Sequence, residues 1–121
     1  MKTFRQTDQK ITSIALIKKS DLQENSGVCA MVNGIQVAIF YLPRESPPLY
    51  AIGNWDPLGQ ANVLSRGIVG DINAQLCVAS PLYKHHFSLL SGKCLENPSV
   101  CVPVYPVRLA GSTVSIDTGV S

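Results

Sequence analysis

Four cysteines and two histidines are the side chains in this sequence with the most obvious capacity for metal or nucleophile chemistry. Their spacing argues against both. Cys29, Cys77, Cys94 and Cys101 form no C-x-x-C pair, and His85 and His86 are adjacent, so on a strand they would point to opposite faces. Zinc sites depend on local ligand pairs, and none is present. Cys29 and Cys77 read as small core residues within strands. Cys94 and Cys101 could approach across a turn, although a reducing compartment disfavours a disulfide. The sequence contains no G-x-S-x-G elbow, no papain-like cysteine context, no G-x-G-x-x-G and no P-loop. Asp56 and Asp71 read as turn residues of a long loop rather than as an acid–base pair.

The elements that would position these residues are short and β-prone. Val28–Val32, Asn33-Gly34 and Ile35–Tyr41 predict a hairpin, because a type I′ turn needs positive φ at both central residues and Asn-Gly supplies it. Val37, Ile39 and Tyr41 alternate with Gln36, Ala38 and Phe40, so both faces are largely apolar and the ribbon is expected to be covered on both sides. Further strands are expected at Leu49–Ile52, Gln75–Val78, around His86–Leu89 and at Thr113–Ile116, with a proline-interrupted edge or bulged strand over Val102–Leu109. Ser20–Glu24 is read as one helical turn capped by Ser20, Gly53–Gly70 as a long loop, and Met1–Lys10 as a loose arm or edge strand. Many short strands with frequent turn signals predict an all-β fold, a small antiparallel sandwich or barrel in a single domain spanning residues 1–121.

Composition narrows the function classes. Ten basic and eight acidic residues give a net charge of +2, without the basic stripe that nucleic acid demands. The longest apolar run, Val37–Leu42, ends at Pro43-Arg44-Glu45, far short of the ~20 residues of a membrane span. The polar N-terminus carries no signal-peptide pattern, so the expected compartment is the cytoplasm. Only 15% of residues are charged, against about 25% in an average domain, which suggests that part of the surface is covered by a partner.

The order of features over Gly27 to Asp117 resembles the Rieske iron–sulfur domain: a hairpin, Tyr50-Ala51-Ile52-Gly53-Asn54, a long loop, Gly70-Asp71, Ser80-Pro81, Ser91-Gly92 and Pro106-Val107-Arg108. In that family C-x-H and C-x-x-H on two loops bind a [2Fe–2S] cluster. Here the matching positions are Asn54 and Asp56 on the first loop and Ser80 and Tyr83 on the second. Soft thiolates hold such clusters, and neutral oxygens do not replace them. The resemblance therefore implies a cluster fold with degenerate ligand positions, with no catalytic residue, cofactor or metal on this chain.

Within that family, Asn54-Trp55-Asp56-Pro57, Ser80-Pro81-Leu82-Tyr83-Lys84-His85 and Cys101-Val102-Pro103-Val104-Tyr105-Pro106-Val107-Arg108 together are similar to the small subunits of assimilatory NAD(P)H-dependent nitrite reductases. That likeness implies an accessory subunit that binds a large siroheme-containing subunit, on which FAD and a [4Fe–4S] cluster are also expected. The other reading is a free-standing clusterless module that regulates another oxidoreductase. Interface candidates are Trp55, Tyr83, Lys84, His85 and His86. Trp55 is expected either to anchor a partner or to fill the space of the missing cluster. Asn54 and Ser80 are expected to lock the two loops by bonding to each other or to backbone.

Overall fold

The computed structural model describes residues 3–5, 14–82 and 84–119. The described residues form thirteen short strands: β1 (Thr3–Arg5), β2 (Ile14–Lys18), β3 (Ser26–Val32), β4 (Ile35–Tyr41), β5 (Leu49–Gly53), β6 (Trp55–Asp56), β7 (Ala61–Asn62), β8 (Ile68–Ile72), β9 (Gln75–Ala79), β10 (His86–Ser88), β11 (Val104–Tyr105), β12 (Val107–Ala110) and β13 (Thr113–Asp117). They assemble into a five-stranded sheet in the order β1-β3-β4-β5-β11, two three-stranded sheets, β12-β13-β2 and β10-β9-β8, and the two-stranded β6-β7 ribbon. The pairings between these strands are antiparallel except β1 on β3, and an isolated parallel bridge joins Glu24 to Tyr41.

The hairpin read from Asn33-Gly34 organises this arrangement. Both residues have positive φ, 50° and 80°, and the register pairs Val32 with Ile35. The apolar character of both faces then has a direct consequence. Val28, Ala30, Val32, Val37 and Ile39 pack with Ala15, Ile17, Val114 and Ile116 of the β12-β13-β2 sheet, forming one core. Ala38, Phe40, Tyr50 and Ile52, on the opposite face, pack with Leu64, Val78, Phe87 and Leu89, forming a second. Phe40, Ile52, Phe87 and Leu89 are almost completely buried, each worth about 1.5–3 kcal/mol in removed apolar surface. The second core supports the two loops that carry Asn54, Asp56 and Ser80.

The expected elements differ from the observed ones in several places. Ile68–Ile72 is a strand, so Gly70 and Asp71 belong to β8 and not to the long loop. It turns into β9 through Asn73-Ala74, both at positive φ, 51° and 64°. This is the geometry of an Asn-Gly turn with alanine at the second position, which is why the glycine signal is missing. The helical turn is a 3-10 turn at Lys19–Asp21, with Lys18 before it and no side-chain cap, rather than a turn begun by Ser20. The Val102–Leu109 stretch is split by Pro106: β11 lies at the edge of the five-stranded sheet, and β12 at the edge of a three-stranded one. The Cys94–Cys101 disulfide does not form, and both residues remain thiols. The arm contributes β1 as a parallel edge strand, while the remainder of Met1–Lys10, and Ile11, lie outside the described residues.

The strained turn yields a test. An alanine in the left-handed region costs about 1–2 kcal/mol, and glycine relieves that at an entropic cost of about 0.5–1 kcal/mol. Ala74→Gly is expected to stabilise the chain by up to ~1 kcal/mol, read as a higher urea midpoint with an unchanged m-value.

Candidate functional site

Two loops meet over the second core. The first is the β6–β7 ribbon, which begins directly after β5 and turns at Gln60, a residue with φ 57°. The second runs from Ser80, at the end of β9, to His85 before β10, and the Ser80 N–H closes it on the His85 carbonyl at 2.8 Å. Gly59 brings the two together: a Cβ there would stand 2.8 Å from a Leu82 methyl and 2.9 Å from Asp56 Oδ2, so any larger residue would push the loops apart.

The join is a hydrogen bond. The Ser80 hydroxyl donates to Asp56 Oδ2 at 2.5 Å, and both residues are buried. Asp56 Oδ1 accepts the Leu58 N–H at 2.9 Å and the Gly59 N–H at 3.0 Å. Ser80 Oγ in turn accepts the Leu82 N–H at 3.2 Å. Asp56 is thus a turn residue, as read, and also the partner of Ser80 across the two loops. Taking an ion of this size out of water costs several kcal/mol. Hydrogen bonds to a charged acceptor return about 1.5–3 kcal/mol each, so three donors offset the burial.

Asn54 forms a separate anchor. Its Oδ1 accepts the Ser65 N–H at 2.7 Å, and its Nδ2 donates to Gln36 Oε1 at 3.1 Å and, more weakly, to Cys29 Sγ at 3.5 Å. Its backbone donates to the Gln36 carbonyl and accepts from Leu64 N–H, both at 3.1 Å. Asn54 and Ser80 do not bond to each other; each is held by other partners. Asn54 ties the first loop to β4 and to the 3-10 turn Leu64–Arg66, and Ser80 ties the second loop to the first.

A third clamp closes the exit of the second loop. Glu96 accepts the His86 N–H at 2.9 Å through Oε1, and its Oε2 lies 2.5 Å from His86 Nδ1. Burial pushes the Glu96 carboxyl up, but the backbone and ring hydrogen bonds from His86 outweigh it and hold the group at about 2. His86, one of the interface candidates, is therefore engaged by a carboxylate of its own chain. His85 is half-buried and Lys84 is exposed, with φ 55°. Trp55 is 48% exposed and leaves the space between the loops to Asp56, Ser80, Gly59 and Leu82. Tyr83 lies outside the described residues.

The donor set does not suit an iron–sulfur cluster. Asn54, Asp56 and Ser80 offer oxygen and amide groups already spent on one another and on backbone. Of the nearby thiols, Cys29 donates to Gln36 Oε1 at 3.5 Å from within β3. Cys77 is buried in β9, where burial first, and then the charges of Asp71 and Glu96, push its thiol up and disfavour the thiolate a cluster needs. Among the described residues no group of three or more His, Cys, Asp or Glu side chains is placed to hold a metal ion. Gln36, Ser65, Gly59 and Glu96 are site residues that the motif comparison missed. Gln36 alone carried a signal, as the polar member of the face shared with Ala38 and Phe40.

A shared-sheet fold with two loops closing over a second core is the architecture of a cluster-binding domain, and a model of the Rieske-like [2Fe–2S] domain matches residues 13–117. The chain belongs to that family. More particularly, it is 41% identical over 101 residues to the nitrite reductase (NADH) small subunit of Salmonella typhimurium, covering 84% of this chain and 93% of that protein. The solved nitrite reductase [NAD(P)H] small subunit of Erwinia carotovora has a TM-score of 0.71 at 40% identity, covering 94% of this chain and 85% of that one. A stretch of the nitrite reductase [NAD(P)H] large subunit of Klebsiella oxytoca is 33% identical over 93 residues, 77% of this chain and 9% of that protein.

Two measurements check the geometry. A double-mutant cycle on Asp56→Ala and Ser80→Ala, read by urea unfolding, is expected to give a coupling of about 1–3 kcal/mol, because each single change strands a buried polar group. Glu96 contributes stability that is full above about pH 4.5 and lost as pH falls through about 2. Its side chain is 46% exposed, so after solvent screening the contribution is roughly 0.5–1 kcal/mol. Glu96→Gln is expected to lower the urea midpoint near neutral pH, and the gap from the parent chain is expected to close as pH approaches 2.

Proposed function

We propose that this chain is the accessory small subunit of a cytoplasmic NAD(P)H-dependent nitrite reductase, the enzyme that reduces nitrite to ammonium in nitrate assimilation, and that it carries no redox centre of its own. The observation that carries the reading is the likeness to a nitrite reductase small subunit across 93% of that protein's length. The stretch similar to this chain within a nitrite reductase large subunit supports a partnership between the two kinds of chain. In this reading FAD, a [4Fe–4S] cluster and siroheme sit on the large subunit, and electrons pass there from NAD(P)H to nitrite.

The chain's own residues then do structural work. Asp56 and Ser80 join the two loops by a hydrogen bond where the family's cluster-bearing members use a metal centre, and Asn54 fixes the first loop to the central sheet. Loops held this way keep one shape without bound iron. They present Trp55 and Lys84 outward, which gives the large subunit a preformed surface and spares the association the entropy of ordering it.

The test is purification of the tagged chain from its host grown on nitrite. The large subunit is expected to co-purify with flavin and siroheme absorbance. The chain expressed alone is expected to be colourless, with iron and acid-labile sulfide far below one cluster per chain. An eluate without the large subunit would transfer support to a free-standing regulatory module. Stoichiometric iron and sulfide in the isolated chain would overturn the assignment of no redox centre.

A further inference from the structure

Beside the second loop lies a cleft of about 250 Å³ lined by Ile68, Ala79, Ser80 and Pro81 together with Arg66 and Lys84. Its character is uneven in a telling way. Ile68 is 78% exposed, the most exposed large hydrophobic residue among the described residues, and it begins β8, an edge strand of the β10-β9-β8 sheet. Arg66 and Lys84 are both exposed, and neither forms an ion pair among the described residues. No carboxylate lines the cleft. Lys84 is held at φ 55°, a backbone conformation disfavoured for a residue with a side chain and one retained mainly where the surroundings impose it. An apolar slot with a cation on each flank and no internal counter-charge is complementary to a segment that carries an apolar side chain next to a carboxylate.

The geometry points to this cleft as the docking site for an acidic, apolar-tipped segment of the large nitrite reductase subunit. The inference rests on the subunit reading above and adds to it a place and a chemistry. An apolar side chain of the partner covers Ile68 and Pro81, and its neighbouring carboxylate pairs with Arg66 and Lys84 as both are withdrawn from water. The Asp56–Ser80 bond serves the same end, because Ser80 lines the cleft and its anchoring fixes the slot's far wall. His86 is excluded from the contact by its own pairing with Glu96.

The test immobilises the full chain and titrates it with the large nitrite reductase subunit of the same organism, purified separately. Arg66→Glu combined with Lys84→Glu is expected to weaken binding about 30-fold or more, and Ile68→Asn about tenfold, as truncation or reversal at an interface centre does. Wild-type binding is expected to weaken with added salt, and the doubly reversed variant to lose that dependence. All three positions are exposed, and melting temperatures near the wild-type value would show that the variants fold. Wild-type affinity in both variants would overturn the cleft and leave the subunit reading standing. A wild-type chain that fails to bind the large subunit would overturn both.

Discussion

A carboxylate buried between two loops is the constraint around which this site is built. Asp56 has no exposed surface, so its charge must be met from inside the protein. Two backbone N–H groups from its own turn and one hydroxyl from the facing loop meet it. Everything near it follows from that requirement. The first loop must turn tightly enough to aim Leu58 and Gly59 at one oxygen. The second must bring Ser80 within reach of the other. Gly59 must lack a side chain for Leu82 to come close. In a cluster-bearing domain a metal centre carries this cross-link; here the Ser80–Asp56 hydrogen bond carries it, with two backbone donors of the first loop holding the carboxylate in place.

Much of the scaffold could be read from residue patterns, for physical reasons that can be named. Asn33-Gly34 is a local signal, because its turn depends only on the φ preferences of two residues. The two-sided apolar character of β4 translated directly into two cores on opposite faces of one sheet. Pro103 and Pro106 marked an edge, because proline cannot donate to a ladder, and β11 and β12 are both edge strands.

What escaped the residue pattern lay in tertiary pairings. Asn73-Ala74 turns the chain as Asn-Gly would, but alanine gives no warning of positive φ, and so β8 was read as loop. Glu96 sits ten positions from His86 in a stretch that looks like ordinary loop, and no periodicity links them. By position in its loop, Ser80 has Asn54 as its counterpart. The hydroxyl instead chose the charged oxygen of Asp56, a stronger acceptor than an amide and one with greater need of a donor. A carboxylate's demand for donors decided the pairing, and that demand is visible only once burial is known.

The central sheet serves two cores at once, and this has a bearing on how the molecule breathes. One half, the sandwich against β12-β13-β2, has outer strands of four or five residues. The other consists of strands of three to five residues that hold their shape by leaning on the shared sheet. Both outer sheets depend on the shared one, so amide hydrogen exchange would be slowest in β4 and β5, whose residues lie in both cores. Opening of the β10-β9-β8 side uncovers the Phe40, Tyr50 and Ile52 face, so the fold carries an adhesive surface one local fluctuation away.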